Sequence, residues 1–380
     1  MKASIVGRLA AALLAFAAAT AGAQALTAPP IAARAYYLVD VLSGQPLAAA
    51  SENDRFEPAS LTKMMTAYLV FAAIHDKRLA DEQQVSISAR AAHSAGARMF
   101  AAQGQAVPIA DLLRALVVQS ANDAAVALAE AVAGSEEAFV ASMNTQAERL
   151  GLLQTHFANA SGQPAPGHYA SARDMAVLAV ALMRDFPERY ALYSQKDFTF
   201  NRITQANRNR LLWIDPTVDG LKTGFTEAAG YCLVASARRG ERRLVSVVMG
   251  TQSDALRTSE TQKLLNFGFQ AYDTRRLYAK GSAVATPEIY KGTKATARLG
   301  FDRDVWLTLP RERFAGLSAH LETRQPFVAP LAAGQKAGIM KLMRDNVPVA
   351  EFPVVALEDV PVAGFLSRGW DTLRLLLRTP

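Results

Sequence analysis

The feature that most constrains this chain is a long helical run with a polar gap in its middle. Residues 110–133 carry Leu112, Leu113, Leu116 and Val117, then a stretch from Ala124 to Ala133 with hardly a breaker. Apolar residues at that density belong inside a packed helical layer. Gln119-Ser120-Ala121-Asn122-Asp123 interrupts them. Four polar side chains are costly in a dry interior unless the chain turns or a cleft opens there. A turn or a cleft is therefore expected at this point.

The surrounding pattern alternates between the two regular periods. Ala35 to Val41 is rich in Tyr and Val, then Ser43-Gly44 leads into Pro46-Leu47-Ala48, the signature of a strand entering a hairpin. After Pro58-Ala59, Leu61, Met64, Met65, Tyr68, Leu69 and Ala72 recur at steps of three and four, which predicts a helix. Further helices are expected over 135–151 and 172–183, with a loop from Gly162 to Gly167. From residue 217 the signal turns to strands. Val218–Gly224 leads to Tyr231–Ala237, and a turn at Arg238-Arg239-Gly240 leads to Leu244–Met249. A helix near 255–272 closes the region. Helices on a central antiparallel sheet make an α+β fold.

Residues 275–360 differ in kind. Short stretches such as Ala295–Leu299, Val305–Leu309, Leu317–Leu321 and Val354–Leu357 alternate with Gly, Pro and charged turns, as in a small all-β domain. In the tail, Val362, Phe365, Leu366, Trp370, Leu373, Leu376 and Leu377 share one helical face. Ser367, Arg368, Asp371, Thr372, Arg374 and Arg378 share the other, and only Leu375 breaks the division. This basic amphipathic helix is too short and too charged to span a bilayer, and it fits an interfacial anchor. The plainer alternative is a terminal helix docked on the protein's own core.

At the other end, Lys2 and Arg8 precede an apolar run from Leu9 to Ala19, and Ala21-Gly22-Ala23 follows. That is a secretory signal with a small-residue cleavage site, the alternative being an uncleaved anchor. The mature chain would start near Gln24 or Leu26. Losing Lys2 and Arg8 takes the formal charge from +7 to +5, an excess that suits phospholipid or wall polymers. No Lys/Arg run with interleaved aromatics points to nucleic acid. The single cysteine, Cys232, excludes an internal disulfide and lies in a buried-strand pattern. With 380 residues and 51% hydrophobic composition, the chain can bury two cores. The expected division is 1–23 signal, 24–274 α+β domain, 275–360 β-rich domain and 361–380 anchor helix.

The chemistry-bearing residues fall into an ordered set. Ser60-Leu61-Thr62-Lys63 is S-x-x-K, and at helical spacing Lys63 reaches back to Ser60. Placed at a helix start, Ser60 would benefit from the helix dipole as its oxygen gains charge. A lysine among apolar residues and near another cation gives up its proton more easily and can serve as base. Alone, the motif is equally a solvated lysine after an N-cap serine. Ser120-Ala121-Asn122 is S-x-N and Lys222-Thr223-Gly224 is K-T-G, and the three follow in the order of the penicillin-binding and serine β-lactamase signature. G-x-S-x-G and H-E-x-x-H are absent, none of the five histidines has a recognisable catalytic setting, and no metal or cofactor is called for.

The resemblance extends beyond the motifs. Pro58–Thr66, Gln119–Asp123, Asn207–Trp213, Val218–Gly224 and Ser246–Gly250 resemble the low-molecular-mass penicillin-binding proteins that trim D-alanine, the D-alanyl-D-alanine carboxypeptidases. The similarity covers essentially the whole mature chain, including the β-rich domain and the anchor helix. It implies a penicillin-binding/serine β-lactamase-like fold and a place in the periplasm on the outer face of the inner membrane. It also implies roles. Ser60 attacks the penultimate D-Ala carbonyl and Lys63 accepts its proton. The backbone N–H groups of Ser60 and Phe225 hold the oxyanion. Ser120 relays a proton to the leaving D-Ala, and Asn122 fixes the peptide. Lys222, Thr223 and Arg257 form the cationic end that holds the terminal carboxylate, with Arg208 a second candidate. Peptidoglycan stem peptides are the implied substrate, and β-lactams the implied inhibitors. Phe225 departs from relatives that carry His after K-T-G. Three alternatives remain. A class A β-lactamase is disfavoured because its E-x-x-x-N loop is not evident between Asn122 and Lys222, and a cross-link endopeptidase because related ones generally lack the second domain. A non-catalytic wall-associated protein is disfavoured by the intact motifs.

Overall fold

A computed structural model describes residues 26–377. The expected signal segment and Arg378 of the tail lie outside the described residues. The chain divides into two compact units: Leu26–Arg275 with Leu307–Arg311, and residues 276–306 with 312–377. The segment Leu307–Arg311, which the sequence reading leaves in the second domain, groups with the first unit.

The first unit is built on a five-stranded antiparallel sheet. Its strands are β1 (Ala35–Asp40), β2 (Pro46–Ala50), β3 (Val218–Thr226), β4 (Gly230–Arg239) and β5 (Arg242–Thr251), in the order β2-β1-β5-β4-β3. Successive residues of a strand face opposite sides. Cys232 and Val234 of β4 accordingly join one core, while Leu233 and Ala235 join another. Both faces are covered, which is why the central strands β4 and β5 read as nearly continuous apolar runs. The helix Ala172–Asp185 lies on the first face, and Asp254–Ala271 on the second. Cys232 is buried and free, as its strand pattern implied.

The helix α1 (Lys63–His75) is buried along most of its length, with Met64, Met65, Val70 and Phe71 essentially inaccessible. Its apolar character on all sides is that of a central core helix. The long run at 110–133 resolves into three pieces. A helix at Ile109–Arg114 passes into a π-turn at Ala115–Gln119, and α2 (Asn122–Ala133) begins after Ser120 and Ala121. Ser120 takes a left-handed conformation, φ 63°. The polar gap is therefore a sharp turn.

The second unit is predominantly β. Its larger sheet runs in the order Ala283–Ala285, Leu299–Gly300, Val347–Ala356, Lys336–Arg344, Leu317–Thr323. Its core holds Ile289, Leu299, Phe301, Met340 and Val354. A tail helix α3 (Phe365–Leu376) closes the described chain. Its polar face is the attached one: Asp371 accepts from the Lys291 backbone N–H at 2.5 Å, and Arg374 pairs with Glu288. Its apolar face is open, with Phe365, Leu366 and Trp370 exposed. Docking of the apolar face on the protein's own core does not occur. No helix among the described residues is long and apolar enough to cross a membrane.

Candidate active site

Ser60 lies in a single 3-10 turn, Ala59–Thr62, that runs into α1. Lys63 is the first residue of α1, and its side chain is buried. Lys63 Nζ donates to Ser60 Oγ at 3.0 Å, to Asn122 Oδ1 at 2.7 Å and to the Ser161 carbonyl at 2.6 Å. Three acceptors match the three protons of an ammonium and fix the nitrogen against the serine. Burial pulls the Lys63 pKa from 10.5 to about 7, and the positive charge of Arg208 adds to the fall against the opposing field of Asp123. The group can therefore exchange a proton near neutral pH.

The turn at Ser120 supplies the second wall. Ser120 Oγ is buried and has no hydrogen-bond partner among the described residues. A buried hydroxyl without a partner is costly, and it is ready to bond a ligand. Asn122 Nδ2 donates to the Ala95 carbonyl at 2.6 Å, and Asp123 accepts from the backbone N–H groups of Met99 and Phe100, each at 3.0 Å. These bonds tie the 95–100 loop to the start of α2.

The third wall is the edge strand β3. Lys222 and Thr223 are buried, and Lys222 Nζ donates to the Thr223 carbonyl at 3.0 Å. Burial, then the charges of Lys63, Arg208 and Arg257, hold the Lys222 pKa well below its ordinary value. At Gly224 a Cβ would come 3.1 Å from the Pro58 carbonyl oxygen, so β3 there lies tight against the Ser60 turn. Arg257, in the first turns of Asp254–Ala271, donates to the Gly224 carbonyl at 3.3 Å and pairs with Asp254. Arg208 is exposed and lines the same cleft, a cavity of about 660 Å³ that also holds Ser60, Ser120, Asn122, Thr223 and Phe225. Three arginines, Arg208, Arg210 and Arg257, line the cleft against one carboxylate, Asp254, which pairs with Arg210 and Arg257, and such a balance favours an anionic ligand group.

Every residue singled out from the three motifs thus meets at one cleft, with Arg208 and Arg257 at its cationic end. What the motifs did not reveal is the loop behind Lys63. Asn159 Oδ1 accepts from the backbone N–H groups of Gly162 at 2.7 Å, Gln163 at 3.1 Å and Ser161 at 3.2 Å. This side-chain-made turn aims the Ser161 carbonyl at Lys63. Three N–H donors on one atom fix the Asn159 amide orientation, so its NH₂ faces His168 Nδ1 at 3.3 Å. Nδ1 is then the acceptor, and Nε2–H donates to Thr62 Oγ1 at 2.9 Å. Burial, with His156 adding to it, lowers the His168 pKa to about 4, so the ring is neutral at neutral pH. Gly162, at φ 86°, lies directly on the Ser60 turn: a Cβ would sit 1.9 Å from the Ala59 carbonyl oxygen. The sequence reading expected a loop from Gly162 to Gly167, but not that Asn159 builds its start and turns it onto Lys63.

A serine bonded to a buried lysine at a helix start, with S-x-N and K-T-G walls, defines the penicillin-recognising class of serine acyl-transfer folds. Comparison with known proteins narrows the class. The peptidase S11 family, D-alanyl-D-alanine carboxypeptidase, matches residues 22–253, and the C-terminal domain of penicillin-binding protein 5 matches residues 272–362. The chain belongs to the D-alanyl-D-alanine carboxypeptidase family. It is 41% identical over 361 residues to D-alanyl-D-alanine carboxypeptidase DacC of Escherichia coli (strain K12), covering 93% of this chain and 90% of that protein. Penicillin-binding protein 5 of Haemophilus influenzae superposes with a TM-score of 0.86 at 39% identity, over 88% of this chain and 99% of that one. Penicillin-binding protein D2 of Listeria monocytogenes, solved in an ampicillin-bound form, gives a TM-score of 0.60 at 30% identity, over 64% of this chain and 100% of that one.

Proposed function

We propose that the enzyme removes the terminal D-alanine from peptidoglycan stem pentapeptides through an acyl-enzyme on Ser60. The observation that carries this is the buried Lys63 amine, 3.0 Å from Ser60 Oγ with a pKa of about 7. In its neutral form Lys63 takes the Ser60 hydroxyl proton as Oγ bonds to the penultimate D-Ala carbonyl carbon. The backbone N–H groups of Ser60 and Phe225 receive the oxyanion. The C–N bond then breaks, and Ser120 Oγ relays a proton to the departing D-Ala amine. Lys222, Thr223, Arg257 and Arg208 hold the carboxylate of that residue, and Asn122 holds the peptide. Water, deprotonated by Lys63, cleaves the ester and restores Ser60. A β-lactam acylates Ser60 by the same first step.

The site acts outside the cytoplasm, at the membrane surface. The secretory pattern of residues 1–23 and the open apolar face of α3 support this reading. Mass spectrometry of a D-Ala-D-Ala pentapeptide incubated with the enzyme tests the reaction. Loss of one alanine is expected with the wild type and not with Ser60→Ala. Cleavage of cross-linked dimers alone would contradict the assignment.

A further inference from the structure

Phe225 is the cleft residue whose side chain the proposed reaction leaves idle, since only its backbone N–H is used. That side chain is nonetheless 44% exposed and lines the cleft. Period-two alternation along β3 places it on the same side as Thr223. Its ring stacks on that of Tyr231, its cross-strand neighbour, with centroids 4.4 Å apart and planes tilted by 37°. Tyr231 in turn lies under the Arg257 guanidinium, 5.5 Å from ring centre to carbon. A cation, an aromatic ring and a second, open aromatic ring are thus contiguous along the wall that ends at Thr223. An exposed aromatic face in a cleft gains from being covered by apolar surface.

This placement has a chemical consequence that rests on the proposed carboxylate site. The carbon that bears the terminal carboxylate also bears the side chain of the residue to be released. With the carboxylate on Thr223 and Arg257, that side chain starts beside the Phe225–Tyr231 pair, since Phe225 shares a strand face with Thr223 and Arg257 lies over Tyr231. The methyl of D-alanine covers little of the pair; a branched or aromatic side chain covers more. We infer that Phe225 and Tyr231 form an apolar subsite for the side chain of the carboxy-terminal residue, and that the enzyme also releases D-residues that are apolar and larger than alanine. The bonds made and broken are those of the D-alanine reaction: Ser60 Oγ replaces the leaving amine, and water then replaces Ser60.

The test compares two pentapeptides that differ only at the last residue, D-Ala or D-Leu. Wild-type enzyme is expected to release D-Leu with kcat/KM within about tenfold of that for D-Ala, and Phe225→Ala to lower the D-Leu to D-Ala ratio by about tenfold or more. Phe225→Leu, which keeps an apolar side chain, should retain most of the wild-type ratio, whereas Phe225→Thr, polar and suited to a strand, should lower it as the alanine variant does and carries the test if that variant fails to fold. Release of D-Ala without D-Leu by the wild type, or a ratio unmoved in a folded Phe225→Ala, overturns the subsite and leaves the carboxypeptidase reading standing. Absence of D-Ala release as well overturns both.

Discussion

Lys63 Nζ and Ser60 Oγ lie 3.0 Å apart, with the lysine buried and the serine half-open to the cleft. A base must be neutral to take the proton, and burial sets the Lys63 pKa at about 7. The rate of penicillin acylation should therefore rise with pH along a single ionisation with its midpoint near 7, and level off above it. Stopped-flow acylation between pH 5 and 9 measures this. A flat profile would remove Lys63 as the base.

Lys63→Arg keeps the charge but cannot shed a proton at neutral pH. Acylation should fall about 10²- to 10⁴-fold, the usual contribution of a positioned base. Burst amplitude and rate with a fluorescent penicillin measure the loss. Retained acylation at the wild-type rate would assign the proton elsewhere.

Asn159 and His168 hold the loop that clamps Lys63 from behind. His168→Leu removes the bond to Thr62 and the acceptor for Asn159, and should lower both stability and acylation rate. His168→Gln can offer a donor and an acceptor in similar places and should recover part of each. A pH signature accompanies this. The folded His168 pKa, about 4, lies below the ordinary 6.5, so the unfolded chain binds the extra proton between those values. The contribution of His168 to stability is full above 6.5 and declines as pH falls toward 4. Thermal unfolding from pH 7 to 4 should show a smaller decline in His168→Gln than in the wild type.

Gly162→Ala places a methyl 1.9 Å from the Ala59 carbonyl at a φ of 86°. The Ser60 turn or the loop has to move. A loss of at least ~1–3 kcal/mol is expected from the strained backbone alone, together with slower acylation. Denaturant unfolding and penicillin labelling, measured on the same sample, test both.

The tail makes a separate prediction. Phe365, Leu366 and Trp370 are exposed on α3, while its polar face is engaged by Lys291 and Glu288. Removal of residues 362–380 should shift the mature protein from the membrane to the soluble fraction. Unchanged fractionation would dismiss the helix as the anchor.

Much of this was legible in the sequence because it depends on local pattern. The strands β4 and β5 announced themselves through apolar runs, β3 through its place ahead of that hairpin, and the polar gap at 119–123 marked a turn. The kind of turn was not legible: a π-turn followed by a left-handed Ser120 has no sequence signature of its own. Ser60 was expected at the start of an α-helix, but a 3-10 turn intervenes, with Ala59 at φ 48° where Gly162 and Gly224 approach the turn closely. The strand Lys336–Arg344 escaped notice because Lys341 interrupts its apolar pattern. It is fixed by a tight hairpin to Val347–Ala356, with Asp345 and Asn346 both at positive φ. Contacts among residues distant in sequence were the least visible. Nothing near Lys63 in the chain signals that a carbonyl 98 residues away accepts a hydrogen bond from its amine.

The most direct measurement is to incubate the folded protein with a penicillin, digest it and locate the adduct by mass spectrometry. The expected result is one penicilloyl group per chain, on the peptide containing Ser60, and none in Ser60→Ala. An adduct on Ser120 or another residue, or no adduct on folded wild-type protein, would contradict Ser60 as the nucleophile.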